Sequence, residues 1–381
     1  MKILFLLTYY SPHWTGLTQY ARRLAEGLVS DGSEVRVLTT QYQKNLAKEE
    51  IIKGVKVIRD SVVLRLSRTM ISLSIFFSIL REIANTDLII VYLPFAEVAF
   101  AALVAKIFGK KFYVVHNGDL KLRQGFLNYI IESIYNVMTR IAFSLSYGII
   151  IQTEDYAKSS RLLSSYQKKW HVILPLFDPL SPNPSKCTEL EKKVPLKTKS
   201  GKKKIVGFAG RFVEEKGFDL LLKAMPLVRE KLPDVQFVFA GELKMVYEDF
   251  YAQNKHLIEE NKNHLTILGR LTNEQIACFY SFCDVIAIPS RSDCFPSVEV
   301  EALLSGVPVV VTNIPGARWA VKVTEMGKIV PPENVQKLAG AIIEVLLHRE
   351  SYVKKRHEVL KRFDYRNTLN EYLKLFKIKV E

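Results

Sequence analysis

Short runs rich in β-branched residues alternate with helix-length segments along the whole chain, and this alternation most narrows the folds open to it. Strands separated by helices are buried on both faces when they form a parallel sheet covered by those helices. In the first half the strands read K2-I-L-F-L-L7, E34-V-R-V-L-T39, V55-K-V-I58, L88-I-I-V-Y92, F112-Y-V-V115, G148-I-I-I151 and H171-V-I-L174. Helices are predicted between them, as over 17–30, closed by D31-G32, and over 95–108, closed by Gly109. From 204 onward the pattern restarts with K204-I-V-G-F-A209, V235-Q-F-V-F-A240, L265-T-I-L268, V285-I-A-I288, P308-V-V-V311 and K328-I-V330. The pattern predicts an α/β chain of two Rossmann-like doubly wound domains, one over 1–180 and one over 205–360.

A composition break separates them. Residues 178–204 hold four prolines, and from Lys186 there are eight lysines against two glutamates, which predicts a basic linker over 181–204. With 381 residues, 48% of them hydrophobic, the chain has material for two cores. Its net charge of +15 points to anionic partners, but the linker contributes six of those charges. No aromatic-interleaved basic motif accompanies them, so nucleic acid is not an expected partner.

Cys187, Cys278, Cys283 and Cys294 show no CxxC spacing and are expected as reduced thiols, neither bridged nor metal-bound. No D-x-D pair occurs, so no metal site is expected. The N-terminus has an apolar run of five residues without a small-residue cleavage site and reads as a first strand, not a signal sequence. Segments 70–80 and 126–151 are too short or too interrupted to span a bilayer. The first, with Arg65, Arg68 and Arg81 around it, fits a helix lying on an anionic membrane surface and, equally, a core-facing helix.

Doubly wound sheets bind ligands at the carboxyl ends of their strands, which directs attention to the strand-to-helix loops. T8-Y-Y-S-P-H-W-T-G16 is not the G-x-G-x-x-G fingerprint, which disfavours a nicotinamide or flavin enzyme. Gly16 would let backbone N–H groups approach an anion, or simply make a turn. In V206-G-F-A-G-R-F-V-E-E-K-G217, Arg211 as a fork and Lys216 as a point charge would hold a diphosphate. A solvated loop with chance cations is the competing account. The third loop, 289–308, carries Asp293, Glu299 and Glu301 and opens a helix at Ser297, with Pro296 suited to its first turn and Gly306 to its end. Glu301 is expected on the ligand-end face, and Glu299 is read as solvated or salt-bridged.

The runs R211-F-V-E-E-K-G-F-D-L-L-L-K-A224, F239-A-G-E242, L268-G-R-L-T-N-E-Q-I-A-C-F-Y-S-F-C-D-V-I-A-I-P-S290 and D293-C-F-P-S-V-E-V-E-A-L-L-S-G-V-P-V-V310 resemble the successive motifs of retaining glycosyltransferases of family 4. Y10-S-P-H-W-T-G16 resembles that family's opening loop. The resemblance implies a GT-B fold, its two domains facing across a cleft, with the last stretch, 361–381, a helix crossing back to the first. It implies a nucleotide-diphosphate sugar as donor, no cofactor and no metal. The reaction implied is retaining transfer of a hexosyl group to a glycan or a polyprenyl- or lipid-linked acceptor.

By the same resemblance Arg211 and Lys216 would contact the diphosphate and Glu301 the ribose hydroxyls. Cys294, Phe295, Ser297 and Val298 would offer backbone groups to phosphates and sugar, and Gly16, Gly210, Gly241 and Arg270 would lie in donor-binding loops. Asp293 and His116 would stand at the transferred sugar as catalytic residues, with Arg211 and Lys216 beside the leaving group. Asp293 stands where the family has a glutamate, and Thr15 where it often has a glycine. Tyr9, Tyr10, His13 and Trp14 suit an acceptor loop. A cytoplasmic protein, peripheral at the inner face of the membrane, is expected. A sugar-nucleotide 2-epimerase and a non-catalytic basic membrane-associated protein are the alternatives.

Overall fold

The alternation becomes two parallel sheets. The structure is a computed structural model that describes residues 1–377 except 14, 67–68, 73, 123–124, 179, 199–200 and 246–248, with 64–66, 69–71 and 198 described by their backbone. Trp14 and Arg68 thus lie outside the described residues, as does the side chain of Arg65. Two compact units are formed, 1–176 with 364–381 and 177–363.

Unit 1 begins β1 (Lys2–Leu6), α1 (Gly16–Ser30), β2 (Glu34–Gln41), β3 (Glu49–Ile52) and β4 (Val55–Ser61), followed by a hairpin of β5 (Leu64–Leu66) and β6 (Thr69–Ile71). Then come α2 (Ile75–Ala84), β7 (Leu88–Tyr92), α3 (Val98–Ile107), β8 (Lys111–Val115), α4 (Phe126–Leu145), β9 (Gly148–Ile151), α5 (Glu154–Ser159) and β10 (Trp170–Val172). The main sheet runs β10-β9-β8-β7-β1-β2-β4-β3, parallel except for β3. Strand alternation sends Leu4, Leu6, Ile89, Val91, Phe112 and Val114 to the face covered by α2, α3 and α4. Residues 70–80 are therefore not one helix: the hairpin occupies the start and α2 begins at Ile75.

Unit 2 contains α6 (Pro184–Glu191), a short hairpin of β11 (Lys197–Thr198) and β12 (Gly201–Lys202), β13 (Lys204–Ala209), α7 (Phe218–Lys231), β14 (Val235–Ala240), α8 (Phe250–Asn261) and β15 (Leu265–Gly269). It continues with α9 (Asn273–Phe282), β16 (Val285–Ile288), α10 (Ser297–Leu304), β17 (Val309–Thr312), α11 (Ala317–Thr324), β18 (Gly327–Val330), α12 (Val335–Leu347), α13 (Arg349–Tyr352) and α14 (Arg356–Arg362). Its sheet, β15-β14-β13-β16-β17-β18, is wholly parallel. Phe208, Phe239 and Phe218 of α7 pack ring against ring at 4.6–5.5 Å in its core.

Two expectations are corrected here. The stretch read as a linker is partly folded into unit 2, because Asn183 caps α6 and Pro184 takes its first turn, where a missing N–H costs nothing. Packing of α6 on α9 then brings Cys187 within 5.0 Å of Cys278, Cα to Cα, and the two form a disulfide despite a sequence separation of 91. Spacing along the chain cannot reveal such a pair. Cys283 and Cys294 are free thiols.

The C-terminal helix, α15 (Tyr365–Phe376), belongs to unit 1 and starts afresh at Asp364, whose side chain accepts from the Asn367 N–H at 2.7 Å. It packs on α1, and Phe376 meets Tyr113 of β8 at 5.3 Å. In α7, Pro226 leaves the Leu222 carbonyl without its helical donor. The buried Asn261 side chain at the end of α8 supplies one at 3.3 Å. Asn261→Leu is therefore expected to lower stability by about 1–3 kcal/mol in urea unfolding, and Pro226→Ala in the same chain to restore part of it.

Candidate functional site

In unit 2 the chain order reverses around β13, which pairs with both β14 and β16, so the loops leaving these strands converge at one point. The backbone is drawn together there. Gly241 (φ +149) approaches Gly210 so closely that a Cβ would overlap the Gly210 carbonyl, and Gly217 (φ +67) lies as tightly against the Pro289 carbonyl. Over this floor the Lys216 ammonium meets Asp293 Oδ2 at 2.5 Å, and Arg211 Nη2 meets Glu215 Oε1 at 2.9 Å. Burial works against the charged amine of Lys216, but the carboxylates of Asp293 and Glu215 outweigh it and hold its pKa above the ordinary value.

Arg291, which sequence reasoning passed over, ties these loops together. Its backbone N–H donates to the Glu215 carbonyl at 2.8 Å and its Nη1 to the Glu214 carbonyl at 2.7 Å. The guanidinium forks onto the buried Asp219 at 2.7 and 2.8 Å, and Nε donates to Glu333 beyond β18 at 2.5 Å. A lone arginine inside P289-S-R-S292 was the sequence signal, but its partners lie 42 and 72 residues away.

At α10, Pro296 occupies the cap position with no side-chain cap bond, leaving the first-turn N–H groups of Ser297 and Val298 at the positive end of the helix. Phe295 is buried against Phe177 and Trp319, so its backbone rather than its ring is offered to a ligand. Burial and the Asp293 charge push the Cys294 thiol up to about 12, which keeps it protonated and non-nucleophilic. Glu301 accepts from the Tyr280 hydroxyl at 3.1 Å, a partner outside the motif. Glu299 is neither solvated nor salt-bridged. It is 0% exposed, one oxygen accepts from the Val321 N–H at 3.2 Å, and the other has no hydrogen-bond partner among the described residues. The α10 turn aims it at α11, and desolvation raises its pKa well above the ordinary carboxyl value.

Arg270 stands exposed after β15, at the edge of the sheet and two strands from β13. Gly16, which opens α1, and His116, which follows β8, belong to unit 1. Thr15 replaces glycine with a capping box: its hydroxyl accepts from Thr18 N at 3.3 Å while Thr18 Oγ1 accepts from Thr15 N at 2.9 Å. The His116 ring is 1% exposed, with Nε2 3.1 Å from Asp119 and Nδ1 accepting from Gly118 N at 3.4 Å. Burial would raise the Asp119 pKa, but hydrogen bonds from His116 and Ser160 prevail and lower it. Tyr9 stacks on His13 at 4.4 Å and His13 meets Tyr42 edge-on at 5.1 Å, forming an aromatic cluster after β1, while Tyr10 is core.

Comparison with known proteins gives two matched family models in tandem: Glycosyltransferase Family 4 over residues 14–179 and Glycosyl transferases group 1 over 191–362. An uncharacterized glycosyltransferase of Methanocaldococcus jannaschii is 24% identical over 396 aligned positions, covering 100% of this chain and 99% of that one. The phosphatidyl-myo-inositol mannosyltransferase of Mycobacterium leprae is 30% identical over 178, covering 45% of this chain and 46% of its own length. Among solved structures, HepE of Anabaena in complex with UDP and glucose aligns with a TM-score of 0.78 at 19% identity, covering 99% of both chains. Sucrose-phosphate synthase of Thermosynechococcus elongatus aligns at 0.74 and 19%, covering 98% of both.

The buried Glu299 makes a pH-dependent prediction. Its folded-state pKa lies above the unfolded value, so above the unfolded pKa the folded chain binds more protons and stability falls as pH rises. Glu299→Gln keeps the oxygen that accepts from Val321 and removes this loss. Its Tm should exceed that of the wild type by more at about pH 8 than at about pH 5; an equal gap at both would show that Glu299 does not titrate in this way.

Proposed function

The chain belongs to glycosyltransferase family 4, and from that premise we propose that it transfers a hexosyl group from a nucleotide-diphosphate sugar to a glycan or lipid-linked acceptor with retention of anomeric configuration. The observation that carries this reading is the gathering of Arg211, Lys216 and Asp293 at the loops that meet beside the N-terminus of α10. Breaking an anomeric carbon–phosphate bond builds negative charge on the departing diphosphate and positive charge on the sugar. Two cations and the first-turn N–H groups of α10 suit the former. Asp293, a carboxylate held against Lys216, suits the latter.

In this reading Gly210 and Gly241 let the backbone approach the donor, and Glu301, positioned by Tyr280, binds the ribose hydroxyls. The acceptor hydroxyl attacks from the face the diphosphate leaves, and a departing phosphate oxygen takes its proton. Within unit 1, His116, 3.1 Å from Asp119, is assigned to sugar recognition and the Tyr9–His13–Tyr42 cluster to the acceptor. No metal takes part in the proposed reaction, in keeping with the absence of any D-x-D pair from the sequence. HepE's complex with UDP and glucose supports a nucleoside-diphosphate hexose as donor, and the mannosyltransferase's name supports an acceptor that carries a lipid. Such an acceptor would bring the protein to the cytoplasmic face of a membrane.

The test is to incubate UDP- and GDP-hexoses with and without polyprenyl-phosphate and glycan acceptors, in the presence of a chelator. Transfer is expected with acceptor alone present as partner; conversion of the donor to an epimer without any acceptor would overturn it. Arg211→Ala and Lys216→Ala are each expected to lose about 2–4 kcal/mol of transition-state stabilisation, read as kcat. Unchanged kcat in both would refute the diphosphate assignment.

A further inference from the structure

The layer of α2, α3 and α4 covers the unit 1 sheet with its inner side and keeps an apolar outer side. Phe77, Ile107 and Phe126, one from each helix, are 77%, 80% and 82% exposed. On α4 the large side chains of Leu127, Tyr129, Ile134 and Val137 are exposed as well, whereas its buried residues, Thr139, Ala142 and Phe143, all lie in the last two turns. The first three turns of α4 therefore expose most of their large apolar side chains, with Tyr135 turned in against the core. Phe76 of α2 meets Phe100 of α3 edge-on at 5.0 Å, so the apolar surface continues from one helix to the next. A globular surface seldom carries such a contiguous cluster unless something covers it.

The charges on this layer say what does. Arg81, Lys106 and Arg140 are exposed on the three helices. Of the carboxylates, Glu82 is buried and paired with Arg36 and, at 3.0 Å, with the otherwise exposed Arg81, and Glu132, the one acid of α4, accepts from the Leu122 N–H. A second copy docked on the same face across a twofold axis would set these cations against their own counterparts. Lipid phosphates would instead pair with them while the aromatic and aliphatic side chains enter the acyl boundary. Among the described residues no helix is long and apolar enough to cross a membrane, so the face would lie on a bilayer rather than span it.

We propose that the outer face of α2, α3 and α4 is a docking surface for an anionic lipid bilayer. The surface differs from the one the sequence suggested: only α2 comes from the 70–80 stretch, and α4 supplies most of the apolar area. Exposure and charge carry the proposal, and neither depends on the transferase reading.

The test is cosedimentation of the full chain with vesicles of phosphatidylcholine, with and without about a third phosphatidylglycerol. The wild type is expected to pellet with the anionic vesicles and to be released as salt is raised. Phe126→Asp with Leu127→Asp, and separately Phe77→Asp, should each lower the partition coefficient about tenfold. Tm and nucleoside-diphosphate binding should stay unchanged, because these side chains are exposed and lie outside the donor loops. Failure of the wild type to pellet with anionic vesicles, or pelleting of the variants like the wild type, would overturn the proposal. So would a concentration-dependent dimer, seen by light scattering, that the substitutions convert to monomer, since a second copy would then own the face. None of these outcomes bears on donor turnover, so the two readings fail separately.

Discussion

One buried ion pair holds the carboxyl edge of unit 2 in place. Arg291 forks onto Asp219, and the same guanidinium reaches the Glu214 carbonyl and Glu333. Three loops from three separate strands are thereby fixed to one planar group. A buried carboxylate without its cation is costly, commonly by about 3–5 kcal/mol, and loosening the loop that carries Arg291 would leave Asp219 to the more distant Lys223, at 3.5 Å. Lys216 and Asp293 sit on two of those loops, and their contact is a consequence of the clamp as much as of their own attraction.

The charge on Lys216 is secured by the same geometry. Its amine is largely taken out of water, which by itself would favour the neutral form, and the neighbouring carboxylates reverse that preference. A cation kept charged in a partly desolvated place interacts more strongly with an anion than a solvated lysine does. Asp293 has one methylene less than glutamate, yet it reaches Lys216 at hydrogen-bonding distance, so the shorter side chain is accommodated by the position of the loop. Glu299, two residues before Glu301, illustrates the opposite outcome. Residues two apart on one helix are turned about 200° from each other, and here that rotation sends one acid toward Tyr280 and the other into the packing against α11.

Much of the fold could be read from local pattern. The parallel strands of both sheets and the start of α10 at Ser297 follow from runs of Val and Ile, from Pro296 and from Gly306, because these act over a few residues. The segments that resisted were those whose local signals were ambiguous. Four prolines suggested a linker, whereas Pro184 opens a helix. The apolar run from Met70 suggested one helix, whereas it is shared between a hairpin and α2. The residues of the candidate site were legible as types: an arginine, a lysine and acids on strand-exit loops.

The sequence by itself determined the two parallel α/β sheets, the loops that bear the candidate chemistry, and the family to which those loops belong. Strand and helix periodicities, glycine turns and motif spacing are short-range properties and survive in one dimension. Only the tertiary structure decided which charges meet. Arg291 finds Asp219 across 72 residues and Cys187 finds Cys278 across 91, contacts that exist only because nonadjacent segments are packed together. It also decided which apolar residues are core. The Ile and Phe residues of α2, α3 and α4 look alike in the sequence, and burial against the sheet, not hydrophobicity, separates Ile79 and Phe143 from Phe77 and Phe126.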